Sequence, residues 1–207
     1  MTPKAVIHDI GNVLIGWQPE RYYDRRIGPQ RRAALFGETG VEAMNLAVDG
    51  GAPFRETVYG LAEKHPNWAE EIRWWYDDWA GLASPRIEHS ITLLRRLRAK
   101  GVPVFVLSNI GDEVFSHAQT QYDFLRWFDR AYVSGRMNLT KPDPAIYAAV
   151  ERDCGIAPEA LLFVDDKPEN TAAAAARGWQ THLFTTADGW ADKLCQAGLL
   201  TAEEATP

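Results

Sequence analysis

Solid apolar runs alternate along this chain with stretches where apolar residues recur every three or four positions. Val6-Ile7-His8 runs into Asp9, turns on Gly11-Asn12 and resumes at Val13-Leu14. A short run closed by Asp and Gly reads as a buried strand whose end carries a functional group. Val102 to Leu107, Ala131-Tyr132-Val133, Leu161 to Val164 and Thr181 to Phe184 repeat the pattern, the first ending at Ser108-Asn109 and the third at Asp165-Asp166. Between them Ile87, Ile91, Leu94 and Leu97 stripe a helix that Gly101 closes. Further helices are predicted over Asp112 to Trp127, from Asp143-Pro144 (N-cap and first-turn proline) through Val150, over the Ala172 to Ala176 run that Gly178 ends, and after Asp188 as a cap. Apolar strands alternating with helices predict an α/β protein, its parallel sheet covered on both faces.

From Gly16 to Ser84 strand patterns disappear. Phe54, Val58 and Leu61 make one helical stripe, and Trp68, Ile72, Trp75 and Trp79 another. Breaks at Gly28-Pro29, Gly37 to Gly40, Gly50-Gly51 and Pro66-Asn67 divide the segment into four or five short helices. Residues 1–15 and 85–207 therefore read as one core, and residues 16–84 as an all-helical insertion. It leaves the core straight after the first strand, which sets it over the carboxyl edge of the sheet, where it would roof a site.

Open α/β sheets hold ligands at that edge. Four polar groups fall there: Asp9, Ser108-Asn109, Lys141-Pro142 and Asp165-Asp166, about 100, 30 and 25 residues apart. Taken singly, each reads as a turn or a helix cap. Together they describe one site, in which paired carboxylates call for a nearby cation. Composition narrows the partners. The 207 residues carry a net charge of −6, with no basic face for a nucleic acid. No apolar run approaches the roughly 20 residues of a membrane helix, and no signal peptide precedes the first strand. Two distant cysteines, Cys154 and Cys195, make no disulfide framework. The expectation is a soluble cytoplasmic protein, monomer or homodimer, that binds neither nucleic acid nor membrane.

In this order the motifs resemble those of the haloacid dehalogenase superfamily. Asp9-Ile10-Gly11-Asn12-Val13-Leu14 is similar to its first motif, Leu107-Ser108-Asn109 to the second and Lys141-Pro142-Asp143-Pro144 to the third. Phe163 to Asn170, with the alanine run and Gly178, is similar to the fourth. The subgroup most resembled is the sugar-phosphatase-like one, whose first motif reads aspartate–x–glycine–asparagine. The resemblance implies a Rossmann-like, doubly wound parallel sheet under a mobile helical cap. It also implies a nucleophilic Asp9 and magnesium (Mg2+) held by Asp9, the Gly11 carbonyl and Asp166, with Asp165 in the first or second layer around it. Lys141 would be the second positive charge, and Ser108 and Asn109 would bind the remaining phosphoryl oxygens. Asn170 would orient the fourth loop, and Trp17, at the exit from the first motif, would line the pocket.

The implied reaction is hydrolysis of a small phosphorylated metabolite, sugar phosphates among the candidates, through an aspartyl-phosphate on Asp9. An anion must approach a dianion, and two unit charges about 4 Å apart repel by about 4 kcal/mol at an effective dielectric near 20. Cations are therefore required. One position departs from the family's phosphatases, which carry a second Asp two residues after the nucleophile as general acid and base. Here it is Gly11, which leaves no proton for the departing oxygen. Two rivals follow. A 2-haloacid dehalogenase uses the same Asp nucleophile without metal, but carries serine and asparagine where this chain has Asp165-Asp166. A catalytically weak phospho-ligand-binding regulatory protein would have kept the site and lost the donor. His8 points away from Asp9 into the core by strand alternation. Arg21, Arg25, Arg26, Arg31 and Arg32 read as a solvated helix face rather than a phosphate-recruiting one.

Overall fold

A computed structural model describes all 207 residues. Its strands are β1 (Ala5–His8), β2 (Ile15–Trp17), β3 (Ala83–Arg86), β4 (Val104–Ser108), β5 (Arg130–Val133), β6 (Leu161–Asp165) and β7 (Gln180–Leu183). Five form one parallel sheet in the order β5-β4-β1-β6-β7. β1 takes the centre because Ala5 to His8 are fully buried and every residue has neighbours on both faces. Ile7 stands in register with Phe105 on one side and Phe163 on the other. The chain runs out from β1 to β4 and β5, then returns to the other side of β1 for β6 and β7. The carboxyl end of β1 thus lies where the winding reverses, the usual place for a ligand crevice.

The core helices are α7 (Glu88–Ala99), α8 (Asp112–Gln121), α9 (Ser134–Met137), α10 (Pro144–Cys154), α11 (Pro168–Ala176) and α12 (Ala187–Gln196). Strand alternation sorts their partners. Ile7, Leu107 and Phe163 pack with Tyr147 of α10 and Ala174 of α11. Val6, Val106 and Val164 face the other way, toward Leu94 of α7, Phe115 of α8 and Trp190 of α12. The small side chains of α11 let its backbone lie close against β6 and β7. This is the expected doubly wound sheet.

The insertion holds six α-helices rather than four or five: α1 (Pro19–Ile27), α2 (Pro29–Thr39), α3 (Val41–Asp49), α4 (Phe54–Lys64), α5 (Ala69–Asp77) and α6 (Trp79–Leu82), with a 3-10 turn at Pro66–Trp68. Gly37 does not break α2, and the tryptophan stripe is interrupted at Asp78, so Ile72 and Trp75 lie on α5 and Trp79 on α6. Two strands frame the insertion where none was expected. β2 and β3 pair antiparallel, Ile15 opposite Arg86 and Trp17 opposite Ala83. The region from Asp112 to Trp127 also divides, into α8 and a 3-10 turn at Asp123–Arg126. The cap of α12 is Thr186, whose hydroxyl accepts from the Gly189 N–H. Asp188 instead accepts from His89 Nδ1 at 2.9 Å. Apolar residues of the insertion, among them Tyr23, Val48, Phe54 and Trp75, join those of the sheet in one continuous cluster. No helix is long and apolar enough to cross a membrane.

Candidate active site

All four predicted clusters meet at the carboxyl edge of the sheet. Lys141, 4% exposed, lies between two strand-end carboxylates, its Nζ 3.0 Å from Asp9 Oδ1 and 2.5 Å from Asp165 Oδ2. It also donates to the Leu107 carbonyl at 3.0 Å. Burial works against its charge, but the two carboxylates outweigh that and hold the ammonium above the ordinary lysine range. Burial pushes Asp9 up to about 6, against the pull of Lys141 and with the Asp165 charge adding to the rise. The Ser108 hydroxyl favours the ionised form of Asp9.

Asp165 and Asp166 take different parts. Asp165 is fully buried and saturated: besides Lys141 it accepts from Asn170 Nδ2 at 3.0 and 3.1 Å and from the Lys167 N–H at 2.8 Å. Asp166 lines the cavity and accepts from Asn12 Nδ2 at 2.9 Å. Oxygens of Asp9, Asp165 and Asp166 lie within 4.8 Å of one another. Three carboxylates face one buried ammonium, leaving two negative charges uncompensated. A divalent cation would supply that charge, and an all-oxygen donor set suits magnesium. The residues present fit the ion.

Asn109 clamps Lys141 rather than presenting a free amide: its Oδ1 accepts from the Lys141 N–H at 2.8 Å and its Nδ2 donates to the Lys141 carbonyl at 2.9 Å. Asn12, in the left-handed region at φ 53°, holds Asp166 and also accepts from the Trp17 N–H at 2.9 Å. That links Asp166 to the start of the insertion. Gly11 does not need a positive φ, and a Cβ there would stand 3.7 Å from Trp17 Cβ, an ordinary contact. Gly11, Trp17, Ser108 and Asn109 all line one cavity of about 190 Å³.

The insertion adds residues that the motifs did not indicate. Asn45, Leu46 and Asp49 of α3 and Trp79 of α6 wall the cavity from above, and exposed Lys167 stands at its rim. Asp49 Oδ2 accepts from Asn45 Nδ2 at 3.0 Å, and Asn45 Oδ1 accepts from Trp75 Nε1 at 3.1 Å. The Asp49 carbonyl accepts from the Ser134 hydroxyl at 2.6 Å, which ties the end of α3 to the core. Burial raises the Asp49 carboxyl to about 7, Lys167 opposing and Asp9 adding to it. One sequence signal marks Asp49: it ends a helix, where the dipole disfavours a carboxylate. The arginine run stays outside. Arg26 pairs with Asp78, Arg31 with Glu71, and Arg32 with Asp24. His8 packs edge-on against Trp190, away from Asp9, and burial lowers it to about 3.

A winding-reversal crevice holding a strand-end Asp, a buried Lys and a carboxylate pair under an inserted roof defines a class of hydrolytic enzyme. Residues 3–178 match the model of the haloacid dehalogenase-like hydrolases, and the chain belongs to that family. It is 27% identical over 177 residues to a sesquiterpene phosphatase of Aspergillus oryzae, covering 86% of this chain and 87% of that one. It is 22% identical over 209 residues to a D-ribitol-5-phosphate phosphatase of Bacteroides thetaiotaomicron, covering 92% and 96%. A crystal structure of a haloacid dehalogenase family enzyme from B. thetaiotaomicron superposes with a TM-score of 0.73 at 22% identity over 94% of this chain and 99% of that one. A wild-type haloacid dehalogenase family enzyme from B. thetaiotaomicron, in complex with magnesium and inorganic phosphate, superposes with a TM-score of 0.65 at 23% identity over 89% of this chain and 95% of that one.

Proposed function

We propose that the chain is a magnesium-dependent phosphatase of small phosphate monoesters. The observation that carries this reading is Lys141 held between Asp9 and Asp165, with Asp166 turned to the same cavity. Asp9, the Gly11 carbonyl and Asp166 would hold magnesium, with Asp165 behind them. The ion supplies the positive charge that lets a carboxylate approach a phosphoryl group. Asp9 attacks phosphorus, the ester oxygen departs, and water then cleaves the aspartyl-phosphate to return Asp9 and inorganic phosphate. Lys141, kept charged by its partners and fixed by Asn109, stabilises the phosphoryl oxygens as charge develops, with the Ser108 hydroxyl beside it. Asp165-Asp166 speaks against the metal-free dehalogenase. The intact set of Asp9, Lys141 and the carboxylate pair speaks against a catalytically weak binder.

The cavity wall bears on the substrate. The amides of Asn12, Asn45, Asn109 and Asn170 are all engaged within the protein. Trp17, Trp79, Ile110, Val114 and Leu46 make the rest mostly apolar. A sugar would find few free partners there, so a phosphate ester of a carbon-rich alcohol suits the walls better. That accords with the activity named for the Aspergillus relative.

Phosphate release from a panel of alkyl, prenyl and sugar phosphates tests the reading, with chloride release from a 2-haloacid as control. Magnesium-dependent phosphate release is expected, fastest on the apolar esters, and falling to background in Asp9→Asn or in excess chelator. Undiminished release by Asp9→Asn would sink the phosphatase assignment. Chloride release without metal would put the dehalogenase in its place, and a preference for sugar phosphates would overturn the reading of the walls.

A further inference from the structure

In a reaction of this kind the alcohol leaves on the side of phosphorus opposite the nucleophile, and the hydrolytic water later enters from that side. Asp9 attacks from the sheet edge, so the departing oxygen emerges toward the insertion. Gly11 has no side chain to meet it, and Lys141 is packed below, between Asp9 and Asp165. Asp166 is held by Asn12 and belongs to the carboxylate cluster. The insertion places one carboxyl in the cavity wall, at the end of α3.

We propose that Asp49 is the general acid and base of this site, carried by the insertion in place of the side chain that Gly11 lacks. The assignment rests on the phosphatase reading and deepens it. In the first step the bond from Asp9 to phosphorus forms, the bond from phosphorus to the ester oxygen breaks, and the Asp49 carboxyl gives its proton to that oxygen, releasing a neutral alcohol. In the second step Asp49, now a carboxylate, takes a proton from the attacking water. The new oxygen–phosphorus bond forms as the bond to Asp9 breaks, and both side chains return to their starting forms.

Three contacts hold Asp49 for this task. Asn45 Nδ2 fixes one carboxyl oxygen, Trp75 Nε1 fixes Asn45, and the Ser134 hydroxyl fixes the Asp49 carbonyl. A carboxyl raised by burial to about 7 is divided between its two forms near neutral pH, so it can give a proton in the first step and take one in the second. With this donor in place, the departing oxygen need not carry away its negative charge, so the rate depends little on leaving-group acidity.

The test compares wild type with Asp49→Asn, both with magnesium, across phosphate esters graded from acidic phenols to alkyl alcohols. In wild type kcat/KM is expected to vary little with leaving-group acidity. In Asp49→Asn it should fall by about a hundred- to ten-thousandfold on alkyl esters, the worth of a positioned general acid. On dinitrophenyl phosphate it should hardly change, and the phenol should appear in a burst ahead of phosphate because the second step has lost its base. A uniform loss across the series without a burst would make Asp49 structural and overturn the proposal, as would no loss at all. Phosphate release by wild type alongside either result leaves the phosphatase reading standing. A wild type inactive on every ester removes that reading and this assignment together.

Discussion

Lys141 and His8 are both buried at the central sheet, and burial acts on them in opposite ways. The ammonium of Lys141 survives because two carboxylates and a carbonyl surround it. Removing one member of such a set leaves a buried charge unanswered, at a cost of about 3–5 kcal/mol. His8 has the rings of Trp190 and Phe128 about it and stays neutral, its value lowered from 6.5 to about 3. Below about pH 6.5 the unfolded chain takes up a proton that folded His8 refuses, so stability falls as pH falls toward 3 and is unaffected above the window. Asp9 tilts the other way in the metal-free protein, because its raised value costs stability as pH climbs from 3.8 to about 6. The two slopes oppose each other, so His8 is best exposed by difference. In urea titrations with chelator, His8→Leu should gain on wild type by about 2 kcal/mol between pH 7 and pH 5, at about 1.4 kcal/mol per pH unit below 6.5. A constant gap between the two proteins would mean that His8 accepts a proton while folded.

Elements owe their legibility to how much of their surroundings they carry with them. Strands β1, β4 and β6 are buried on both faces, so they read as unbroken apolar runs. The polar residues at their ends then line up once a parallel sheet is assumed. β2 and β3 are short, β3 contains Pro85, and the strand partner of each is about 70 residues away. Their apolar pattern is too short to announce them. Asp49 carries one local mark, a carboxylate at the end of a helix, but its place in the cavity follows from how α3 docks and not from its neighbours in sequence. Asn109 could be placed at the site, but its two bonds to the Lys141 backbone could not be read from a motif. The docking of α3 depends on a close approach. A Cβ on Gly111, at the start of α8, would lie 2.8 Å from both the Val48 carbonyl and Val48 Cγ1. Gly111→Ala is therefore expected to lift the end of α3 and with it Asp49. Activity on alkyl phosphates should fall at least tenfold while core strands β1, β4 and β6 keep their hydrogen-exchange protection; overpacking of this size costs about 1–3 kcal/mol. Unchanged kcat/KM in Gly111→Ala would show that this contact does not set the position of Asp49.

At the scale of the molecule, the proposed catalytic set is divided between the sheet core and the insertion. The sheet edge supplies Asp9, Lys141 and the carboxylate pair, and the insertion supplies Asp49 with the apolar wall. The two are joined by β2 and β3, strands of three and four residues, and by the apolar cluster that runs from the sheet into Val48, Phe54 and Trp75. That shared cluster holds the roof seated over the cavity, with the Ser134 bond to Asp49 as its polar counterpart.

On the proposed role of Asp49, a chamber of about 190 Å³ whose ceiling carries the proton would work as a ruler. An alcohol that outgrows it can still place its phosphate against Lys141, but it props the ceiling away and meets an incomplete set of tools. Size is then measured after arrival, in the speed of bond cleavage, and the mouth need not reject anything. Among alkyl phosphates of equal leaving-group acidity and rising bulk, KM should stay nearly level while kcat drops once the chamber is full. A series in which KM climbs and kcat holds would place the measurement at the mouth instead. Oversized esters would in the first case act as competitive inhibitors, occupying the floor of the chamber without being consumed.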